Sequence, residues 1–527
     1  MTTSAAVTAS PRAVESRDPM TGEVWRSYVP AGREEVERAM AAARRAQPEW
    51  AARPVSERAA AVERFRRALY RRRDEATALI HRESGKPAAE ALVTEVMVVL
   101  DLARYYARES VRRLEQRWFT PANIALWRKR VRIAHEPYGV IGVIAPWNYP
   151  LMLPAGTVLS AIVTGNAVLL KPSEYTPSTG GLIAELCGEA GVPDGLVAVL
   201  PGAGDTGAAL IAAGPDKLFF TGSAATGRKV AATCAERMIP HVLELGGSDP
   251  AIVLEDAPLD NAVSGILWGR FSNAGQTCVA PKRALVAAPV YDRFVERMAS
   301  AVSRLQVGPS AAGAHDVGPL IRPWQAEHLR AQLDDAVARG ARVVARGTVP
   351  ADTAGAYFPP TVLADVTPEM RVMREESFGP LLPVMRVADA EDAVARANAS
   401  MFGLSASIWS RDVPNAIRLA ERVEAGTVTI NDAIMAVGIA EVPHGGVKES
   451  GTGRAHGVEG LMECVRSKAV VVDRLVGVRQ PWWFGYDAER ARNLDAFVRF
   501  WHGRTPAERL GGVWRSLKLL TARERPL

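Results

Sequence analysis

The chain has 527 residues, of which 23% are charged and 48% hydrophobic. This length and composition predict a globular protein of two or three domains and exclude the disordered and collagen-like classes. Lys and Arg number 64 against 58 Asp and Glu, but residues 476–527 alone hold ten of the basic and five of the acidic residues, with four of the twelve tryptophans. Because the positive charge belongs to this C-terminal segment, we expect no nucleic acid partner for the rest of the protein.

The sequence predicts a cytoplasmic protein. Residues 1–19 lack the apolar stretch of a secretory signal. The four cysteines are scattered, without a C-x-x-C pair or a nearby His cluster, which predicts neither a disulfide framework nor a metal site. Residues 137–170 carry no charged side chain, but the segment PWNYP interrupts them with two prolines. We therefore interpret them as a strand, a loop and a buried helix and not as a membrane span.

Along the chain, helices come first and two α/β regions follow. Residues 33–117 have apolar positions at helical spacing. From about residue 139, short apolar strands alternate with helical segments such as residues 176–190, a pattern typical of a parallel, doubly wound sheet. The predicted strands are 139–145, 167–171, 197–200 and 217–221 in the first region, and 251–254, 283–286, 342–345, 382–387 and 405–409 in the second. The fold class is therefore α/β, with two doubly wound parallel-sheet lobes.

Two further segments alternate basic and apolar residues. Residues 129–136 and 465–473 show this pattern, which predicts either a β-ribbon that belongs to neither sheet or two ordinary edge strands. The pattern favours neither alternative.

The segment FSNAGQTCVAPKR, residues 271–283, places Cys278 in polar, glycine-containing surroundings after a helical stretch. A nucleophilic cysteine needs thiolate character and access. Cys187 and Cys234 lie among Ala, Leu and Val on helical patterns, so we expect them in the core. A lone cysteine is more often structural, and that remains the alternative for Cys278.

Two motifs offer an acid–base group and an amide donor. In LELGGSDP, residues 243–250, Glu244 lies between two leucines, and a carboxyl in apolar surroundings has a raised pKa that suits a general base. In APWNYP, residues 145–150, prolines flank Asn148, and a rigid loop with an amide donor is what an oxyanion hole needs. The alternatives are a surface glutamate beside a turn and a buried turn capped by asparagine.

Two strand ends indicate a dinucleotide site. FFTGSAATG, residues 219–227, ends a strand at Gly222 and opens a helix whose amides can hold a pyrophosphate. Its spacing differs from G-x-G-x-x-G, so the motif alone is weak. KPSE, residues 171–174, ends another strand with Lys171 and Glu174, which could bind ribose hydroxyls.

In their order and spacing these motifs, with EESFGP (375–380) and PHGGVKESGTGR (443–454), resemble the aldehyde dehydrogenase superfamily over about residues 19–475. Within it, the sequence is most similar to bacterial succinate-semialdehyde and broad-range aldehyde dehydrogenases. The resemblance implies a homodimer or homotetramer. It also implies a Rossmann-like NAD(P)-binding domain of residues 8–126 and 139–243 and a catalytic domain of residues 244–443. A β-ribbon oligomerisation element of residues 127–138 and 462–475 and a basic Trp-rich tail of residues 476–527 complete the chain.

The resemblance also implies a role for each motif residue. Cys278 would attack the aldehyde to give a thiohemiacetal and then a thioester, Asn148 with the Cys278 backbone amide would form the oxyanion hole, and Glu244 would activate the hydrolytic water. Relatives that pass the acyl group to coenzyme A typically lack this base, so hydrolytic chemistry is favoured. Glu174 favours NAD, since a 2′-phosphate would face a like charge, with NADP as the alternative. The implied cofactor contacts are Trp147, Lys171, Ser173, Glu174, Thr221, Gly222, Ser223, Gly227, Leu245, Glu376 and Phe378.

The implied substrate pocket contains small residues where the family often has aromatic ones. Gly156 stands where relatives often carry Trp, and His444 replaces a Phe. Gly438 is a further small residue, so we expect a wide tunnel and a medium-chain, long-chain or bulky aldehyde. No arginine anchor for a second carboxylate is evident, and succinic semialdehyde remains the alternative. The expected pocket residues are Tyr149, Leu153, Gly156, Thr277, Val279 and His444.

Other classes of function are a cysteine hydrolase and a non-catalytic structural or membrane-associated relative. The hydrolase is disfavoured because no His motif accompanies Cys278. In the tail, residues 487–501 and 505–520 predict basic amphipathic helices with Trp, a type that lies on membrane surfaces. The two expectations for these helices are peripheral contact with the inner face of the membrane and packing on the body or on a neighbouring subunit.

Overall fold

The computed structural model describes residues 13–309, 315–351 and 353–521. The start of the cofactor domain at residue 8, most of the segment searched for a secretory signal, and the last six residues of the basic tail lie outside the described residues. Among those described, contacts define two compact units. The first runs to Leu114 and resumes over Glu136–Arg466, and the second comprises Glu115–His135 and the residues from Ser467 onward.

The strands alternate with helices as the sequence predicts. In chain order the strands are β1 (Val14–Arg17), β2 (Val24–Tyr28), β3 (Trp118–Phe119), β4 (Lys129–Pro137), β5 (Val140–Ile144), β6 (Ala167–Lys171), β7 (Val197–Val199), β8 (Lys217–Thr221), β9 (His241–Glu244), β10 (Asp249–Val253), β11 (Pro281–Ala287), β12 (Arg342–Arg346), β13 (Thr361–Ala364), β14 (Leu381–Val387), β15 (Phe402–Gly403), β16 (Ser405–Trp409), β17 (Thr427–Ile430), β18 (Val447–Lys448), β19 (Gly451–Thr452) and β20 (Val465–Asp473).

The helices follow the same order. They are α1 (Arg33–Ala52), α2 (Val55–Arg71), α3 (Arg73–Ser84), α4 (Ala88–Ala91), α5 (Met97–Arg113), α6 (Met152–Val163), α7 (Pro177–Glu189), α8 (Gly204–Ala212), α9 (Ala224–Glu236), α10 (Leu259–Phe271), α11 (Tyr291–Val302), α12 (Gln325–Ala338), α13 (Arg371–Arg374), α14 (Ala390–Asn398), α15 (Val413–Ala420), α16 (Gly457–Met462), α17 (Ala488–His502) and α18 (Pro506–Thr521), with a π-helical turn at Leu92–Val96 between α4 and α5.

The first unit contains two sheets, each a run of parallel strands with one antiparallel edge strand. The six-stranded sheet has the order β19-β9-β8-β5-β6-β7, with β19 antiparallel. The seven-stranded sheet has the order β12-β13-β14-β11-β10-β16-β17, with β12 antiparallel. Every residue of β5 and β6 is buried, as expected for parallel strands that are covered on both faces. The predicted α/β fold with two doubly wound lobes is confirmed.

The second unit combines a small sheet with the C-terminal helices. Its three-stranded sheet has the order β20-β4-β3, and within the unit Arg128 donates hydrogen bonds to the carbonyls of Leu475 and Val478 at 3.1 Å each. The strands predicted as a ribbon belong to neither large sheet. α17 and α18 bury Phe497 and Leu519. Among the described residues, no helix combines the length and apolarity needed to cross a bilayer.

Candidate active site

One pocket of about 290 Å³ collects the three predicted catalytic residues. Asn148 follows β5, Glu244 ends β9, and Cys278 lies between α10 and β11. Because the carboxyl ends of parallel strands meet at one edge of a sheet, β5, β8 and β9 bring their terminal residues to the same rim. The other predicted site residues that line the pocket are Trp147, Leu153, Thr221, Gly222, Ser223, Leu245, Glu376 and Phe378.

The remaining predicted residues do not line this pocket. From the cofactor set these are Lys171, Ser173, Glu174 and Gly227, and from the substrate set they are Tyr149, Gly156, Thr277, Val279 and His444. Six lining residues were not predicted as site residues: Pro146 and Gly246 lie inside predicted motifs, and the other four are Arg322, Trp324, Gln325 and His328. These four come from the segment RPWQAEH, which carries no motif that could have identified them.

Cys278 is half-buried, whereas Cys187 and Cys234 are buried in the core as predicted. Burial raises the pKa of the Cys278 thiol to about 12, although the Lys282 ammonium lowers it in part. Lys282 Nζ donates a hydrogen bond to the Cys278 carbonyl at 2.5 Å. The thiol is therefore protonated at neutral pH and must lose its proton before it can act as a nucleophile.

A buried ion pair fixes the loop that carries Asn148. Lys86 Nζ lies 2.7 Å from Glu95 Oε1 and donates a second hydrogen bond to the Asn148 carbonyl at 2.8 Å. Glu95 Oε2 accepts from the Leu151 amide at 2.7 Å. The Asn148 side-chain amide donates to the Gln276 carbonyl at 3.1 Å, two residues before Cys278. The amide is thus aimed at the segment that holds the cysteine, and the loop cannot drift without breaking charged hydrogen bonds.

Glu244 is 7% exposed, and neither carboxyl oxygen has a hydrogen-bond partner among the described residues. Burial raises its pKa well above the usual range, and the nearby Arg454 charge opposes this only in part. His444 Nε2 lies 3.7 Å from Glu244 Oε2. Burial lowers the pKa of His444 to about 3, so the imidazole is neutral and does not hold the carboxylate in its charged form. Glu244 is therefore available as an acid or base and is not committed to a structural ion pair.

The structure corrects the expectation for Gly156. A Cβ at this position would lie 3.3 Å from His456 Nε2 and 3.3 Å from Leu102 Cδ1. The space that a missing Trp was expected to open is therefore already in contact with His456, whose ring centroid lies 5.9 Å from that of His444. A Cβ on Gly438, by contrast, would meet its nearest neighbour, Val98, only at 3.6 Å. A Cβ would therefore make ordinary van der Waals contacts at Gly438, whereas at Gly156 its neighbours would have to shift.

The side chains of Tyr149 and Thr277 form a hydrogen bond with each other. The Tyr149 hydroxyl lies 2.8 Å from Thr277 Oγ1, and Lys86 Nζ lies 4.0 Å from the centroid of the Tyr149 ring. The buried tyrosine packs against the network that holds the Asn148 loop, and it is not a wall of the pocket.

The end of β6 carries the predicted ribose contacts. Lys171 Nζ donates to the carbonyls of Pro172 and Gly202 at 2.8 Å each and lies 3.8 Å from Glu174 Oε2. The Glu174 side chain is 38% exposed, and its other polar contact is with Ser173 Oγ at 3.4 Å. An exposed carboxylate beside a buried ammonium at a strand end suits ribose hydroxyls.

The end of β8 offers a helix N-terminus. Ser223 is the N-cap of α9, and its hydroxyl accepts from the Thr226 amide at 3.3 Å. A Cβ on Gly227 would lie 2.5 Å from a methyl of Leu245, so only glycine lets this turn of α9 approach so closely. Backbone amides at such a terminus favour phosphate.

Glu376 lines the same pocket and is held there by two polar contacts. Its Oε1 accepts from the Gly247 amide at 3.1 Å and lies 3.4 Å from Lys282 Nζ. The rings of Trp147 and Phe378 meet edge to face at a centroid distance of 5.4 Å. The chemistry of these residues, with that of the ends of β6 and β8, fits a dinucleotide.

Two parallel-sheet lobes and a pocket at the carboxyl ends of parallel strands, with a cysteine, an amide and a carboxyl in its lining, are the features of a nicotinamide-dependent oxidoreductase. The sequence model of the aldehyde dehydrogenase family matches residues 6–470. The chain belongs to this family.

Known relatives are similar over most of their length. The chain is 41% identical over 468 residues to 4,4'-diapolycopene aldehyde oxidase of Methylomonas sp., covering 89% of this chain and 87% of the relative. It is 39% identical over 449 residues to a Mycobacterium ulcerans protein whose name is that of an NADP+-dependent succinate-semialdehyde dehydrogenase, covering 85% and 86%. A crystal structure of Mycobacterium tuberculosis aldehyde dehydrogenase complexed with NAD+ superposes with a TM-score of 0.83 at 35% identity, covering 87% of this chain and 94% of that one.

Proposed function

We propose that the protein oxidises an aldehyde to a free carboxylic acid and reduces NAD or NADP. The observation that carries this proposal is the meeting of Cys278, Asn148 and Glu244 in one pocket. The Cys278 sulfur adds to the aldehyde carbon, and its proton leaves to a base. Asn148 Nδ2 and the Cys278 amide donate hydrogen bonds to the resulting oxyanion. When bound, the nicotinamide ring accepts the hydride that the carbon loses.

Loss of hydride leaves a thioester on Cys278, and Glu244 then acts as general base. It takes a proton from a water molecule that attacks the acyl carbon, and the thiolate departs. The two unpartnered oxygens of Glu244 support this step, because a base already bound to a structural partner could not orient a water. We therefore infer hydrolytic and not acyl-transfer chemistry.

The cofactor proposal rests on Glu174. Its partly exposed carboxylate at the ribose site disfavours a 2′-phosphate, so we propose a preference for NAD. The name of the M. ulcerans relative specifies NADP+, which keeps NADP as the alternative.

For the substrate we propose a medium-chain, long-chain or bulky apolar aldehyde. The relative named for 4,4'-diapolycopene aldehyde is 41% identical, and Gly438 is flanked in sequence by the apolar residues Met435 and Ile439, which are 38% and 45% exposed. The second candidate is succinic semialdehyde, the aldehyde in the name of the M. ulcerans relative, which is 39% identical.

The test is reduction of NAD and NADP, followed by absorbance, with decanal, benzaldehyde and succinic semialdehyde. We expect decanal and benzaldehyde to give the higher kcat/KM; a clear preference for succinic semialdehyde would reject the apolar substrate. The C278A variant should be inactive with every aldehyde while C234A, a buried cysteine outside the site, stays active. Activity in C278A, or a coenzyme A thioester as the product, would reject the proposed chemistry.

We further propose a cytoplasmic homodimer or homotetramer whose tail contacts the anionic inner face of a membrane. The support is the charge of residues 476–527, ten basic against five acidic, together with Leu510 and Trp514 on α18, which are 73% and 72% exposed. In sedimentation with phosphatidylglycerol vesicles, L510S/W514S should bind less than wild type or than V337S, a control at an exposed site in the first unit. Equal sedimentation of L510S/W514S and wild type would reject the proposed membrane contact. A change in the native mass of L510S/W514S would instead assign the exposed side chains of Leu510 and Trp514 to contact with a neighbouring subunit.

A further inference from the structure

Arg322 is a cation in the lining of the candidate active site, and it was not identified from the sequence. It lines the pocket with Asn148 and Cys278. Its guanidinium lies 4.2 Å from the centroid of the Trp324 ring, 4.9 Å from that of Tyr175 and 5.6 Å from that of Trp147. Three aromatic rings thus surround one cation, an arrangement that restricts its motion.

The guanidinium has no anionic partner in the part of the chain that the structure describes. Its Nε is buried without a hydrogen-bond partner, and no carboxylate there lies within 4.0 Å of its nitrogens. Stacking on aromatic rings occupies the faces of a guanidinium and leaves its edge N–H groups free. A planar fork of free N–H donors is the group that binds phosphate through paired hydrogen bonds.

The neighbours of Arg322 locate it within the cofactor site. Tyr175 directly follows Glu174 at the ribose end, and Trp147 directly precedes Asn148 at the reacting end. A cation that touches both neighbours therefore stands along the line between the two ends of a bound dinucleotide. On that line the phosphates are the groups that carry negative charge.

We propose that Arg322 binds a phosphate of the dinucleotide cofactor, an inference that rests on the proposed function. Two phosphates share this chemistry: the pyrophosphate common to NAD and NADP, and the 2′-phosphate of NADP alone. In the second case Arg322 would also offset the like charge that Glu174 presents to a 2′-phosphate, and the chain would accept NADP despite that glutamate.

The test is calorimetric titration of the full-length protein, without aldehyde, with NAD, NADP, ADP and 2′,5′-ADP. Wild type is compared with R322Q, R322K and R330Q, the last being a control at an exposed arginine on α12. Loss of charge-assisted hydrogen bonds should weaken binding in R322Q by about 10- to 100-fold. R322K keeps the charge without the fork and should lie between R322Q and wild type, and R330Q should bind as wild type does.

The pattern among ligands identifies the phosphate. Equal weakening of NAD, NADP and ADP assigns the pyrophosphate, whereas weakening of only NADP and 2′,5′-ADP assigns the 2′-phosphate. Affinities in R322Q within about 2-fold of wild type, with or without a lower melting temperature, would overturn the proposal and leave Arg322 a packing residue. Dinucleotide binding by a wild type that oxidises no aldehyde would overturn the proposed function alone, and a wild type that binds no dinucleotide would overturn both.

Discussion

Replacing Glu244 with Gln removes the charge and the basicity of the carboxyl and keeps the shape of the side chain. In the proposed mechanism Glu244 acts after hydride transfer, so E244Q should still form the thioester once and then stall. A general base contributes about 10²- to 10⁴-fold to a rate, or about 3–5 kcal/mol of activation free energy. We expect the steady-state kcat to fall by that factor while the first turnover survives.

The same substitution should stabilise the fold. Burial raises the pKa of Glu244, so between the unfolded and folded pKa values the folded protein holds a proton that the unfolded chain has released. Stability therefore falls as pH rises from the unfolded pKa, about 4.3, to the folded pKa, and it stays lower at higher pH. Each unit of that shift is worth about 1.4 kcal/mol. A neutral amide is easier to bury than a carboxylate, so E244Q should melt at a higher temperature at pH 8, and the difference should shrink at pH 5.

Two assays test this pair of effects. Stopped-flow absorbance should show a burst of reduced nicotinamide equal to the active-site concentration, followed by slow turnover, and calorimetry at pH 8 and pH 5 should show the change in melting temperature. E449Q is the matched control, because Glu449 forms a surface pair with Arg228 and surface pairs contribute little. Wild-type turnover in E244Q would refute the base role. Loss of the burst would show that Glu244 acts before the thioester forms.

Three further predictions concern the same pocket. The N148A variant should lower kcat/KM by about 10²- to 10³-fold with unchanged dinucleotide affinity in calorimetry; equal losses in N148A and in a control N493A on α17 would contradict an oxyanion role. Because burial raises the pKa of the Cys278 thiol to about 12, its alkylation by iodoacetamide without cofactor should still accelerate above pH 9; a plateau near pH 8.5, the ordinary range, would contradict the buried thiol. The E95A variant leaves the Lys86 ammonium buried and unpaired, which should cost about 3–5 kcal/mol in urea unfolding; a loss under about 1 kcal/mol, the surface-pair value, would show that the pair does not fix the loop.

The sheet strands were predictable where burial is complete. β6, β8 and β16 match their predicted bounds residue for residue, because a parallel strand covered on both faces is a continuous apolar run. β13 and β17 were not predicted. β13 follows two prolines and has only four residues, and β17 is only half-buried, so neither gives a clear apolar run between turn signals.

The three residues that we propose as catalytic lie in local motifs that the sequence displays, but their surroundings were not predictable. Asn148 is recognisable within six residues of sequence, whereas the lysine that holds its carbonyl lies 62 positions away. His456 contacts the Gly156 site from 300 positions away, and a residue count cannot show which side chain fills a gap left by a missing Trp. The expectation at Gly156 was wrong for this reason: it inferred empty volume from one position without the tertiary neighbours that occupy it.

The charges around Cys278 explain why burial, and not the nearby ammonium, governs the thiol. Lys282 would lower the thiol pKa, but it already lies 3.4 Å from Glu376 Oε1, and a cation that is paired with a carboxylate stabilises a neighbouring thiolate less. Burial also raises the pKa of the Glu244 carboxyl well above its usual range, which favours its neutral form. The thiol loses its proton to solvent before it attacks the aldehyde, and Glu244 must be ionised to act as the base in hydrolysis. Since both deprotonations become easier as the proton concentration falls, thioester formation and hydrolysis should both accelerate with rising pH, and the pH optimum for aldehyde oxidation should lie on the alkaline side of neutrality.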